Sequence, residues 1–138
     1  MIKKTLLSAA AAALVLILSA SSVNQDTQTK KVLEDGTVVV NTTTIGKKIF
    51  GFRDTTPLEI FLKDGKIVKV EALPNYETPN YFQMLKDAKL FDSWNGLTPE
   101  KALDKEVDAV SGATYSSKAV IDNVREGMKF LLGKTEKK

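Results

Sequence analysis

The chain has 138 residues, of which 43% are hydrophobic and 27% charged, with a formal net charge of +3. This composition fits one globular domain that follows a targeting segment. The chain contains no histidine and no cysteine, which excludes Ser-His-Asp and Cys-His catalysis, thiolate and imidazole metal sites, disulfides and iron–sulfur ligation. Redox chemistry would therefore depend on a bound cofactor.

The first residues are typical of a secretory signal. Lys3 and Lys4 precede an apolar run over residues 6–20, which ends in small residues and is shorter than the roughly 20 residues that span a bilayer. We predict a signal peptide over residues 1–22, and hence export to the periplasm or the extracellular space. The alternative is an uncleaved N-terminal segment that anchors the protein in the membrane.

Removal of the signal peptide leaves a nearly neutral protein. Residues 1–22 contain two lysines and no acid, so the net charge falls from +3 to +1. The remaining clustered lysines lie in residues 134–138, which we interpret as a charged, solvated tail. We therefore predict no nucleic-acid partner.

The mature chain begins with a polar stretch and then a strand. Residues 23–36 are rich in polar and charged side chains and predict a flexible leader. Residues 37–45 are mostly β-branched and predict a strand. We therefore place the folded domain over residues 37–133.

A β-hairpin is predicted over residues 58–72. Asp64 and Gly65 stand between two runs of alternating apolar residues, and Asp-Gly in that position favours a tight primed turn. Alternation predicts one buried face for the two strands. This face comprises Leu58, Ile60, Leu62, Val68, Val70 and Ala72.

Helices dominate the second half. Residues 81–91 have the apolar spacing of a short helix, and Thr98 followed by Pro99 is typical of a capped helix start. Residues 106–110 predict a brief extended piece. Residues 115–132 predict an amphipathic C-terminal helix that ends at Gly133. The fold class is therefore α+β, with an antiparallel sheet packed by a few helices.

The turn before the last helix combines glycine with several hydroxyls. A helix N-terminus offers N–H groups without partners and the positive end of the helix dipole, so it can hold an anion. The residues predicted to contact such an anion are Ser111, Gly112, Ala113, Thr114, Tyr115, Ser116 and Ser117. Two interpretations remain at this point: a phosphate site, or a helix cap worth about 1 kcal/mol.

The sequence from Asp108 through Ser111 to Thr114, Asp-Ala-Val-Ser-Gly-Ala-Thr, resembles the flavinylation signature of the FMN-binding domain family. This domain occurs in the C subunit of the sodium-translocating NADH:quinone oxidoreductase and the G subunit of the Rnf complex. In the family the final threonine carries FMN through a phosphoester bond, so the resemblance implies Thr114 as the attachment residue. It also implies that a flavin transferase, with FAD as donor, reads Asp108 and residues 111–113.

A second segment is similar to the family pattern. Glu77, Thr78 and Pro79 resemble the start of the family's Glu-Thr-Pro-Gly loop beside the flavin, which implies that Glu77 and Thr78 bind the cofactor. The sequence departs from the pattern at Asn80, where the loop usually has glycine, and at Tyr81, where the larger homologues have leucine.

The resemblance implies an extracytoplasmic flavoprotein that transfers electrons to or from a membrane or periplasmic partner. No catalytic side chain and no metal are implied, so we expect an electron carrier and not a self-sufficient enzyme. The alternatives are a module that binds FMN or another phosphorylated small molecule without a covalent bond, and a flavin-dependent reductase.

Several further side chains could contact FMN. Arg53 and Lys118 are candidate phosphate partners, although each could equally be a solvated surface cation. Aromatic side chains can pack on an isoalloxazine ring, although any one of them could instead belong to the core or its rim. The aromatic candidates are Tyr76, Tyr81, Phe82, Trp94 and Tyr115.

Overall fold

A computed structural model describes residues 29–134 and shows an α+β fold, as predicted. The four strands are β1 (Lys30–Val32), β2 (Val38–Asn41), β3 (Leu58–Lys63) and β4 (Lys66–Ala72). They form one antiparallel sheet in the order β1-β2-β3-β4. The predicted signal peptide and residues 135–138 of the predicted tail lie outside the described residues.

The sheet begins before the predicted domain start. β1 lies within residues 23–36, which were predicted to be a flexible leader, and it pairs with β2 through Lys31 and Val39. All three residues of β1 are exposed, so this edge strand lacks the apolar alternation by which a buried strand is recognised. The predicted strand over residues 37–45 is correspondingly shorter, because the chain turns after Asn41.

The predicted hairpin is confirmed, with one correction to its buried face. Asp64 and Gly65 have φ values of 51° and 79°, as a primed two-residue turn requires. The register shifts between Phe61 and Leu62, so that Leu62 pairs with Ile67. This bulge reverses the alternation near the turn. Ile67 is therefore buried, whereas the predicted core residue Val68 is 51% exposed.

The helices are α1 (Pro79–Asp87), α2 (Pro99–Asp104) and α3 (Thr114–Leu131), with a short 3₁₀ segment over Leu90–Asp92. The predicted helix over residues 81–91 is thus two pieces, separated where Lys89 takes a left-handed φ of 59°. The predicted cap of α2 is confirmed. Residues 106–110 form no strand in the structure.

α3 crosses the sheet and organises the core. It contacts β3, α1 and α2, and its apolar face packs on the inward face of the sheet. The buried cluster includes Val40, Leu58, Ile60, Ile67, Leu85, Trp94, Val120, Val124 and Met128. No helix within residues 29–134 is long and apolar enough to cross a membrane.

Candidate functional site

A cleft opens at the N-terminus of α3. Its walls come from three separate segments: the loop that carries Phe52, the first turn of α1 at Tyr81, and residues 112–116. The cleft has a volume of about 260 Å³. We call it the aromatic cleft. No lysine or arginine among residues 29–134 lines it, so these residues can hold a negative charge here only through uncharged donors.

Those donors are backbone N–H groups. Thr114, Tyr115 and Ser116 form the first turn of the 18-residue helix α3, and their N–H groups have no hydrogen-bond partner within residues 29–134. They lie at the positive end of the helix dipole. The arrangement suits the phosphate of a cofactor.

Gly112 allows the chain to enter this turn. Its φ of 86° is in the left-handed region, which L side chains rarely adopt. A Cβ at this position would also lie 2.8 Å from the methyl carbon of Met84 in α1. Glycine is therefore favoured at position 112 for two reasons, the backbone conformation and the contact with α1.

The four serine and threonine hydroxyls among the predicted anion contacts have different environments. Ser116 is buried and donates to Glu77. Ser117 is buried as well, and its Oγ donates to Ala113 O at 2.7 Å and accepts from Val110 N at 2.9 Å. Ser111 and Thr114 are exposed, but of these two only Thr114 lines the aromatic cleft. Thr114 therefore carries the one hydroxyl among the four that is both free and inside the cleft.

A second groove is lined by the first part of the signature, residues 108–111. It is lined by Ala88, Leu90, Ser93 and residues 105–111, with a volume of about 460 Å³. We call it the loop groove. Asp108 and Ser111 lie here and not in the aromatic cleft. The structure therefore separates the signature residues into those that line the aromatic cleft and those that line the loop groove.

Three aromatic rings meet at the cleft. The ring of Phe52 packs edge-on against Tyr81, with centroids 5.5 Å apart, and lies 6.4 Å from the ring of Tyr115. All three are substantially exposed. Tyr81 and Tyr115 were among the predicted ring contacts, whereas Phe82 and Trp94 belong to the core.

Phe52 was missed by the sequence reasoning. It lies in a loop without regular structure, where no periodicity marks an aromatic side chain as part of a site. Its neighbour Gly51 was the available signal, because a glycine beside an exposed aromatic indicates a close backbone approach. The other predicted ring contact, Tyr76, is exposed and does not line the cleft.

Neither residue of the predicted flavin loop lines the cleft. Glu77 is 6% exposed and lies beneath it, bonded to Ser116. Thr78 occupies the N-cap position of α1 but makes no side-chain capping bond. The candidate phosphate partners Arg53 and Lys118 are exposed and also do not line the cleft.

The comparisons with known proteins agree with this geometry. A family model described as an FMN-binding domain matches residues 51–129, a range that includes the whole aromatic cleft. No curated protein and no solved structure shows significant similarity to the chain. The free hydroxyl, the unpartnered N–H groups and the aromatic walls all fit a flavin phosphate and its ring. The chain belongs to the FMN-binding domain family, and its cofactor is FMN.

Proposed function

We propose that this protein is an extracytoplasmic electron carrier that holds FMN through a phosphoester on Thr114. One observation carries the proposal. The Thr114 hydroxyl is exposed at the mouth of an aromatic-lined cleft, beside the three unpartnered N–H groups of α3. A chain of the FMN-binding domain family thus has one accessible serine or threonine hydroxyl where the flavin phosphate would be held.

The chain's own residues bind and orient the cofactor. The N–H groups at the start of α3 hold the phosphate, whose remaining negative charge the helix dipole stabilises by about 0.3–1 kcal/mol. Phe52, Tyr81 and Tyr115 provide apolar surface for the ring. The flavin itself supplies the one- or two-electron chemistry.

The open walls of the cleft are consistent with a covalent link. Small-molecule clefts generally bury most of the surface of the ligand. The aromatic cleft is instead lined by the exposed rings of Phe52, Tyr81 and Tyr115. A bond to Thr114 would keep the flavin in place where non-covalent contacts alone would release it on dilution.

Attachment requires a flavin transferase, which we propose as a partner of this protein. The Thr114 Oγ bonds to the flavin-bearing phosphorus of FAD, the pyrophosphate bond breaks, and AMP leaves with the hydroxyl proton. The protein gains the mass of FMN less one water. The exposure of Thr114 supports this step, because the enzyme must reach the hydroxyl.

The proposed location rests on the sequence. The two lysines and the apolar run of residues 1–20 support export, and a covalent flavin suits a compartment in which lost cofactor cannot be replaced. A membrane or periplasmic protein would then exchange electrons with the flavin. The exposed rings of Phe52 and Tyr115 leave the cleft accessible to such a partner.

The attachment is tested by the intact mass of the protein after production with a flavin transferase. We expect an increment of FMN less one water that survives denaturation in the wild type and is absent from Thr114→Ala. Thr43→Ala is the matched control, since it removes an exposed threonine hydroxyl that lies outside both the signature and the cleft, and it should keep the increment. Flavin that leaves on denaturation would show a non-covalent module and refute the ester.

The role as a carrier needs a separate measurement. We expect the loaded protein to take up electrons from a chemical reductant and pass them to a second redox protein, without sustained turnover of small-molecule acceptors. Catalytic turnover of an added acceptor by the isolated protein would instead show a flavin-dependent reductase.

A further inference from the structure

Glu77 is a buried carboxylate with an unusual set of partners. Its Oε1 accepts from the hydroxyl of Ser116 and from the backbone N–H of Phe52 at 3.2 Å, and its Oε2 accepts from the Thr56 hydroxyl at 3.2 Å. No lysine or arginine within residues 29–134 forms an ion pair with it. A buried carboxylate is tolerated only when hydrogen bonds replace its lost hydration.

These bonds connect the two walls of the aromatic cleft. Ser116 belongs to the first turn of α3, on the Thr114 side, whereas Phe52 belongs to the opposite wall. Oε1 of Glu77 bonds to both. A single oxygen atom therefore fixes the separation between the attachment residue and the ring that faces it.

The neighbouring backbone is shaped around this carboxylate. A Cβ at Gly51 would lie 2.7 Å from the Glu77 carboxyl carbon and 2.7 Å from the Thr56 hydroxyl oxygen, closer than such contacts occur in proteins. Any side chain at Gly51 would push the loop of Phe52 away from Glu77. The close contact between this loop and Glu77 therefore depends on the glycine at position 51 as well as on the carboxylate.

We propose that Glu77 is a positioning residue that joins the two walls of the cleft and holds Phe52 against the flavin ring. The part of the proposal that concerns the flavin ring rests on the proposed function. The connection between the two walls through Glu77, which we call the joint, does not depend on it. It assigns Glu77 a role beneath the cleft, in place of the direct flavin contact that the sequence resemblance implied.

Two substitutions at Glu77 separate the effect of its hydrogen bonds from the effect of its negative charge. In Glu77→Gln the amide oxygen can accept from Phe52 and Ser116, and the amide nitrogen can donate to the Thr56 hydroxyl, so every bond has a substitute. Glu77→Ala removes all three bonds. Glu100→Gln, at an exposed position in the first turn of α2, is the matched control for loss of one carboxylate.

The joint itself is measured without flavin, by amide hydrogen exchange at Phe52 in the unmodified protein. Loss of a hydrogen bond worth about 1 kcal/mol should raise the exchange rate about fivefold. We expect this in Glu77→Ala, while Glu77→Gln and Glu100→Gln exchange like the wild type. Equal protection of the Phe52 amide in Glu77→Ala and the wild type would overturn the proposal.

The effect on the ring is measured by the fluorescence anisotropy of the flavin on Thr114. A ring held between two walls rotates with the protein, so its anisotropy should be high in the wild type and in Glu77→Gln. It should fall toward the value of the urea-unfolded protein in Glu77→Ala. Unchanged anisotropy in Glu77→Ala would overturn the positioning role while leaving attachment to Thr114 intact.

Ser116→Ala provides the second test, in case Glu77→Ala does not fold. This variant removes only the hydrogen bond from the Ser116 hydroxyl to Glu77 and keeps the bond from the Phe52 amide. We expect lower flavin anisotropy together with wild-type exchange at Phe52. A wild-type anisotropy in Ser116→Ala would count against the joint. Absence of flavin from the wild type would refute only the proposed function, because the exchange experiment needs none.

Discussion

Replacement of Gly112 by alanine should destabilise the protein for two separable reasons. The residue has a φ of 86°, and a Cβ would lie 2.8 Å from the methyl carbon of Met84. Gly65 offers a matched reference, because its φ is 79° and a Cβ there would meet nothing within 4 Å. The two substitutions share the backbone strain and differ in the contact.

The expected magnitudes follow from these distances. Left-handed backbone costs an L residue about 1–2 kcal/mol, partly offset by the lower entropy of the unfolded alanine chain, so Gly65→Ala should lose about 1 kcal/mol. Gly112→Ala must also displace the end of Met84, a flexible side chain, at about 0.5–1.5 kcal/mol for an off-rotamer position. We therefore expect a loss of about 2 kcal/mol for Gly112→Ala.

Urea unfolding of both variants measures the difference, with similar slopes as the check that only stability has changed. In a Met84→Ala background the cost of Gly112→Ala should fall to that of Gly65→Ala, because the contact is gone. Equal costs for the two glycine substitutions in the wild-type background would refute the argument that α1 restricts the signature turn.

Three further predictions concern the fold. Because the bulge buries Ile67 and exposes Val68, Ile67→Ala should cost about 2–5 kcal/mol in urea unfolding and Val68→Ala less than about 0.5 kcal/mol; similar losses would contradict the observed register. Thr98 accepts from Lys101 N at 3.3 Å, so Thr98→Ala should lower stability by about 1 kcal/mol, and no loss would show that the cap is dispensable. The hydrogen bond from the Thr37 backbone N–H, with smaller contributions from the Thr37 side chain and the Lys63 ammonium, lowers the pKa of Asp35 to about 2. The stabilisation from Asp35 should therefore be complete above its unfolded pKa of about 3.9 and lost as the pH falls toward 2, and Asp35→Asn should remove this part of the pH dependence of unfolding.

Local sequence signals were sufficient for the elements whose chemistry is local. The Asp64-Gly65 turn, the Thr98 cap and the amphipathic period of α3 each depend on residues close in sequence, and each was predicted within a residue or two. The bulge in the hairpin was not, because it depends on how β4 meets the loop after the 3₁₀ segment: Ile67 exchanges backbone hydrogen bonds with Gly96 and Leu97 at 2.7 and 2.8 Å. No local pattern in β4 reports that pairing.

The aromatic cleft was predictable on one side only. The side formed by the signature turn and α3 is continuous in sequence, so glycine, hydroxyls and the helix start could be interpreted together. The opposite side comes from Phe52 and Tyr81, which only the tertiary fold brings together. The role of Glu77 was likewise hidden, because its partner Ser116 lies 39 residues away in sequence.

Helical periodicity, extended back to the first turn of α3, distinguishes the buried hydroxyls of this turn from the exposed one. Ser116 and Ser117 lie three or four residues before Val120, on the stripe that the buried residues of α3 continue, whereas Thr114 lies four residues before the exposed Lys118. A hydroxyl on the buried stripe must bond within the protein, and both serines do. The exposed stripe leaves Thr114 as the one serine or threonine hydroxyl of this turn that an enzyme can reach, so the position of Thr114 on the helix supports the proposed attachment residue independently of the family signature.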